Sequence, residues 1–596
     1  MKYPILSELS VSREWTDVFG GYNHNLRIGG GEFYDMKNLS SDDYPILSPR
    51  KQRGTYVSLI NPQCMIAKDN LCYVDVVISD NEYGARFYIN KKEVEGLTLS
   101  SLEAAIPKTL VSMGSYVIIM PDKKYVNTIM GDDGKYQYGN IEATVTTKAS
   151  TTFSHCKLDG TDYSNEDVTI SDEAPDSPND LAYWIDISNT PHTLKRYSAT
   201  SAMWVAVATT YIKISAPGIG APFDTGDSVK ISGIEIEELA DLNNTMVIQG
   251  RDDDYIIVIG ILDEVKTQES AVTVARKMPN MDFIIESENR LWGCRYGLSV
   301  DNEVVNEIYA SKLGDFKNWN SFNSISTDSY VASLGTDGPF TGAITHLGYP
   351  LFFKENCIHK VYGNYPANYQ IQTTTCRGVQ KGCSKSLAIV NEVLYYKSRS
   401  AICAYDGSLP VEISSALGDV KYSNAVAGML GNKYYISMMD TSDTYHLFVY
   451  DTLRGMWHKE DNIVVKDFCT CRDELYFIDA SNGMIKSVLG SGTTEPSAIE
   501  WMAETGIIGV DSPDKKYISR IDVRMSLNVG ARVFFFVKYD SNEKWEHIFT
   551  MSGSSLRSFP VPIKPKRCDH LQLRIEGYGE AKIFSICKTV EQGSDL

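Results

Sequence analysis

The feature that most constrains this chain is a repeat. Its unit is a short apolar strand, a polar turn, a second apolar strand ending in aromatic residues, and a polar turn leading to a third strand. Copies run over Cys64–Tyr73, Leu110–Ile119, Phe283–Trp292, Ile344–Phe353, Leu387–Tyr396, Ala425–Tyr435 and Phe468–Phe477. Anchored on the second strand, the steps from Leu351 to Leu394 to Lys433 to Leu475 are 43, 39 and 42 residues. Leu71 to Tyr116 is 45, and Leu291 to Leu351 is 60. Third strands fit at Cys357–Tyr362, Ala401–Tyr405 and Leu447–Tyr450, the last two followed by Asp and a turn. One such unit cannot bury both its faces alone, so copies must stack. A period near 40–50 residues with several strands per unit predicts propeller blades. A β-sandwich with coincidental spacing explains neither the shared aromatic ending nor the shared period. The fold class expected is all-β: a six- or seven-bladed β-propeller with an inserted β domain and a C-terminal β-sandwich.

The period breaks twice and so sets the domains. Residues 1–55, rich in Gly and Asn, read as an extended arm, able to supply a blade's closing strand or reach a neighbouring subunit. Residues 56–131 carry the first blades. Residues 132–278 hold strands of their own and read as an inserted β domain, entered through the Gly- and Asp-rich stretch Gly131–Lys135. Blades resume over 279–491. After the linker Gly490–Pro496, alternating strands over 492–596 predict a small β-sandwich.

Bulk properties exclude several function classes. The 596 residues carry 57 basic and 76 acidic side chains, a net charge of -19. A broad nucleic-acid-binding face needs clustered Lys and Arg, so none is expected; an acidic duct would still let DNA slide through without specific binding. No apolar run approaches the ~18 residues of a membrane helix, and Met1–Leu6 lacks a signal-peptide core, so no membrane partner is expected. The 12 cysteines include no C-x-x-C pair, and Cys469-x-Cys471 makes no zinc site. They read as reduced buried thiols of a protein assembled in a cytoplasm.

No catalytic constellation emerges. The turn Ser311–Trp319 approaches the Asp-box of sialidase propellers, Ser-x-Asp-x-Gly-x-x-Trp, but Leu313 and Asp315 stand in place of the Asp and Gly, and Trp319 comes one residue late. It predicts a blade turn with a packed Trp. Gly29–Gly31 is followed by Glu32, so no phosphate-binding Walker loop exists, and no H-E-x-x-H pair occurs. His346 and His359 fall in predicted strands and read as core residues. Asp252–Asp254 and the Asp159–Asp162 loop lack calcium-loop spacing. No catalytic residue, cofactor or metal is therefore predicted, and the chain is expected not to be an enzyme. The cationic segments Arg50, Lys51, Arg53 and Lys564, Lys566, Arg567 are the candidate subunit or DNA contacts.

Several stretches closely resemble a family of β-rich virion proteins encoded in phages and prophages of gut bacteria. They are Gly31–Ser40 with Pro49–Gly54, Asn289–Cys294, Glu307–Asp315 through Asn318-Trp319-Asn320, Leu351–Glu355 with His359–Gly363, and Leu573–Gly579 onward to Glu591–Asp595. The organisation is also similar to the propeller-bearing nozzle or stabilisation proteins of short-tailed phages. The resemblance implies a structural subunit of the phage tail, forming a homo-oligomeric, six-fold ring below the portal and adaptor that extends or closes the DNA channel, assembled in the host bacterial cytoplasm. The rival expectation is a propeller tail protein that binds or hydrolyses a host-surface glycan.

Overall fold

The computed structural model describes residues 11–79, 82–100, 107–163, 168–299, 302–494, 498–509, 516–563 and 566–592. Among them, seven four-stranded antiparallel units form the propeller, over residues 62–93, 109–140, 283–333, 342–375, 388–412, 423–459 and, with one strand from elsewhere, 465–487. They are numbered here as blades 1–7. First strands pack against first strands around the ring, and Val465–Cys471 of blade 7 packs against Pro62–Lys68 of blade 1. Between blades 4 and 5 the 3-10 turn Ser384–Ser386 fills the step. Each repeat copy in the sequence is one blade.

The local pattern follows from position in the sheet. A blade's second strand is covered on both faces by neighbouring blades, so it reads as a continuous buried run rather than an alternating one. Leu394, Tyr395, Tyr396 and Lys397 are all buried, as are Leu351, Phe352, Phe353 and Lys354. The fourth strand lies on the rim, and Gln370–Thr375 is accordingly polar and largely exposed. Two-residue turns join first and second strands, with Ser287 opposite Arg290 and Val390 opposite Val393. Their central residues, Glu288-Asn289 and Asn391-Glu392, take positive φ, as the twist of a tight hairpin requires.

The inserted domain departs from its expected start. Gly131–Lys135 is the turn that carries Lys124–Met130 into Tyr136–Asn140, the fourth strand of blade 2, and the inserted sheets begin at Ala143. The strands from Ala143 to Arg276 make three sheets. Two of them enclose a core of Phe153, Ile212, Ile214, Phe223, Val229 and Val274. The third is a small lobe of Val168–Ser171, Tyr183–Asp186, Thr193–Ser198 and Met203–Ala206.

The arm is a stitch. Val11–Thr16 pairs with Ala581–Gln592, and Glu32–Lys37 pairs with Glu500–Thr505. Gly21–Tyr22 pairs with Glu32–Lys37 on one side and, through Tyr22 and Trp457, with blade 6 on the other. One sheet thus runs from the C-terminal domain through the arm into the propeller. Gly54–Ser58 then pairs with Met484–Ser487 as the fourth strand of blade 7. In the C-terminal sandwich the 24-residue strand Lys516–Tyr539 serves both layers. Its first half pairs with Ala581–Gln592 and its second half with Leu571–Tyr578. The corner falls at Val529-Gly530, where Gly530 takes φ 88°. Ile521, Val523 and Met525 then join Val533, Phe535, Leu573 and Ile575 in the core shared with the arm and blades 4–6.

Candidate functional site

The buried run of a second strand carries a charged residue at or next to its end in four blades: Asp75, Lys354, Lys397 and Asp479. Antiparallel pairing sets these ends beside the starts of the first strands, as with Pro62 opposite Asp75 and Val465 opposite Asp479. One end of the propeller therefore gathers buried charge at the ends of its second strands.

The densest part lies where blade 7 meets blade 1. Asp75 accepts the Asn61 N–H at 2.8 Å and the Ile60 N–H at 3.3 Å. Burial outweighs those amide bonds and holds its carboxyl above the ordinary range. Lys466 Nζ donates to Asn61 Oδ1 at 3.1 Å. Lys385, on the turn Ser384–Ser386, reaches across to donate to the Lys466 carbonyl at 3.2 Å and pairs with Asp467 at 3.4 Å. Asp467 also accepts the Met65 N–H at 2.9 Å. Burial, then the neighbouring Lys385 charge, pulls Lys466 below the usual lysine range. Cys64, on the adjoining strand, is pushed up to about 12 by burial and is not a nucleophile. In blade 2, Lys108 and Asp122 form a fully buried ion pair, with Lys108 also donating to Ser100 Oγ at 3.0 Å.

Among the described residues Lys354 and Lys397, like Lys466, make no ion pair within 4 Å. Lys354 Nζ donates to Asn306 Oδ1 at 3.0 Å and the Thr336 carbonyl at 2.9 Å, with the Phe340 ring centroid 4.8 Å away. Lys397 donates to Gln380 Oε1 at 3.0 Å. Burial lowers both. The chemical content of this end is thus two acidic side chains, Asp75 and Asp467, gathered with the ammonium groups of Lys466 and Lys385. Asp75, Lys385, Lys466 and Asp467 were not singled out in the sequence, where each is one polar residue at a strand start, strand end or turn. They fall just outside the repeat copies, beside Tyr73, Leu387 and Phe468, and carry no motif.

The cationic segments lie elsewhere. Arg53 is buried, pairs with Glu460 and Asp461 at 2.7 Å each, and lies over the Phe477 ring. Arg50 pairs with the same two carboxylates at 3.6 and 3.4 Å. Both turn inward and lock the arm onto blades 6 and 7. Lys51 is exposed at the rim of a cleft of about 580 Å³ between those blades. Lys566 pairs with Glu546 at 3.4 Å on the sandwich, where Arg567 is exposed; Lys564 falls outside the described residues. His346 bonds the Glu392 carbonyl, and His359 bonds Thr373 and Thr336, so both are hydrogen-bonded core residues. Trp319 is buried with Nε1 donating to the Phe316 carbonyl. Among the described residues no group of three metal-ligating side chains occurs, all twelve cysteines are free thiols, and no helix is long and apolar enough to cross a membrane.

No protein-family model matches the chain, and no curated protein matches it. Solved structures do. An exo-β-1,3-galactanase from Phanerochaete chrysosporium with galactose is similar at 9% identity and TM-score 0.21, over 51% of this chain and 94% of that one. A protein described as a glycoside hydrolase is similar at 11% identity and TM-score 0.19, over 50% and 96%. A Trypanosoma rangeli sialidase in complex with sialic acid is similar at 7% identity and TM-score 0.19, over 98% and 96%. The expectation that the chain is not an enzyme finds no support among these neighbours, which are hydrolases. Its physical weakness is that a glycosidase carboxyl pair is defined by separation in space, so the lack of a linear motif excludes nothing. At these identities and TM-scores the likeness assigns neither substrate nor reaction to this chain. The fold rests on the ring of seven sheets, which is an all-β propeller with an inserted domain and a sandwich.

Proposed function

We propose that this protein is a propeller-based phage tail component that engages a host-surface glycan at the charged end of its channel and hydrolyses it there. The observation that carries the reading is the cluster of Asp75 and Asp467 with Lys466 and Lys385 where blade 7 closes on blade 1: Asp75 and Lys466 meet at Asn61, and Asp467 pairs with Lys385. In this reading Asp75 gives its proton to the leaving glycosidic oxygen. Asp467 acts as base or nucleophile, and the Lys385 ammonium holds it in place. The tail setting is supported by the sequence resemblance to virion proteins. The inward-turned Arg50 and Arg53 favour this reading over one in which the arm clamps a neighbouring subunit.

Wall polysaccharide from gut bacteria is the substrate to test, with released reducing ends as the readout. Wild type is expected to release them, and Asp75→Asn and Asp467→Asn to fall by about 10²-fold or more, the scale of a lost acid or base. Retention of full turnover in both variants, or no turnover and no binding by wild type, sinks the proposal.

A further inference from the structure

The small lobe of the inserted domain has two unlike faces. One packs inward, where Val168, Ile185 and Leu194 are buried against Tyr163, Tyr183 and Ile261. Register puts Thr169, Trp184, Lys195 and Ala206 in one row of the other face, with Asp186 and Thr193 to one side and Tyr197 and Trp204 to the other. Trp204 meets Trp184 and Tyr197 edge to face, each at 5.4 Å between ring centroids. Trp184 lies beneath, 5% exposed, with the Lys195 ammonium 4.6 Å from its ring and Lys195 paired to Asp186 at 2.7 Å. Trp204 and Tyr197 are half-exposed, and Thr169 and Ala206 are exposed beside them.

We infer that this face is a second carbohydrate subsite, a stacking platform for a neutral polysaccharide chain built on Trp204 and Tyr197; it rests on the reading that a glycan is the ligand. Flat aromatic faces offer apolar area for the C–H face of a pyranose, while their edges and the neighbouring hydroxyls remain polar. The Thr169 and Thr193 hydroxyls and the Lys195 ammonium flank the rings where sugar hydroxyls would project. Charge selects the ligand class. In the lobe Asp172, Glu173, Asp176, Asp180 and Asp186 outnumber Lys195 and Arg196, which repels phosphate, sulfate and uronate polymers and leaves uncharged sugars. A protein partner fits poorly, because this face carries a central ion pair and no aliphatic side chain larger than Ala206.

Affinity electrophoresis of the full chain through gels holding laminarin, xylan, galactan or dextran tests the inference. Wild type is expected to be retarded by at least one, and Trp204→Ala to lose that affinity by about tenfold or more. Trp204→Ala also removes packing on Trp184, so Ala206→Lys serves as the second variant. It adds bulk and charge at an exposed position of the edge strand and is expected to abolish retardation without lowering the unfolding temperature. Unchanged retardation in both platform variants overturns the inference, as does a wild type that none of the four gels slows. Either result leaves hydrolysis at the channel end to its own turnover assay.

Discussion

His155, His359 and His458 are buried where an imidazolium cannot be solvated, and burial pulls them down to about 4, 4 and 3. Unfolded, each titrates near 6.5. Below that pH the unfolded chain takes up protons that the folded one refuses, so folding stability falls as pH drops from about 6.5. The loss levels off near pH 4 for His155 and His359 and near pH 3 for His458. Each histidine contributes up to about 1.4 kcal/mol per pH unit inside its window. Asp75, held up by burial, works in the opposite sense just above the ordinary carboxylate range. His155 is the most exposed to test, since neither ring nitrogen has a partner and its ring lies 4.6 Å from that of Tyr163. His155→Phe is expected to raise stability by about 1 kcal/mol at pH 7 and to flatten the decline between pH 6.5 and 4.5. Urea melts at three pH values check both, and an unchanged slope refutes the assignment. Arg53 makes the complementary case. Its removal leaves Glu460, 5% exposed at the side chain, with Arg50 alone at 3.6 Å, so Arg53→Met is expected to cost up to about 3–5 kcal/mol. Adding Glu460→Gln is expected to recover part of that, as read by the same melts.

The insertion shows how one short turn can carry a domain. Asn318 accepts the Ser228 N–H at 2.7 Å and donates to Asp227 at 2.9 Å, while Ser228 Oγ donates to the Asn320 carbonyl at 2.7 Å. Asp227 in turn pairs with Arg276, at the chain's exit from the insertion. The turn 311–320 of blade 3 is therefore the seat on which the inserted domain rests. Asn318→Ala leaves a buried carboxylate and a buried amide short of partners, at a cost of about 2–4 kcal/mol. Hydrogen exchange is expected to quicken over 226–232 and to stay unchanged in blades 5 and 6. Uniform protection in the variant contradicts the anchor. The sequence showed this turn as a blade corner with a packed tryptophan, which Trp319 is. It could not show the seat, because that contact joins residues about ninety positions apart. The same limit applies to Asp75 and Asp467, whose neighbours come from blades 1 and 7, adjacent in the ring but at opposite ends of the repeat in sequence. Repeats are legible because each copy is local; sites made between copies are not.

Across the whole molecule the decisive contact is the one that shuts the ring. A propeller whose last blade lacked its fourth strand would expose the edge of Met484–Ser487 and leave blades 7 and 1 joined only by side-chain packing and a few polar contacts between them. The strand Gly54–Ser58 supplies the missing edge. It enters directly after Arg53, so the buried ion pairs with Glu460 and Asp461 fix its register. Thr493–Thr494 pairs on its far side, and the chain then crosses into the sandwich, so the arm, blade 7 and the C-terminal domain meet at one place. Gly54 has no room for a side chain there: a Cβ would stand 2.4 Å from the Ser491 carbonyl oxygen and 2.7 Å from the Gly490 carbonyl carbon, both backbone atoms that cannot swing away. Gly54→Val is therefore expected to lift the strand from its partners and cost about 1–3 kcal/mol. Its effect should be felt at the seam between blades 7 and 1, because closure couples the first unit to the last. Quicker hydrogen exchange in both 62–68 and 465–471, together with a lower unfolding temperature, is the expected result. Exchange confined to 54–58 would mean that the first-strand contacts alone hold the ring shut, and that the strand only decorates its rim.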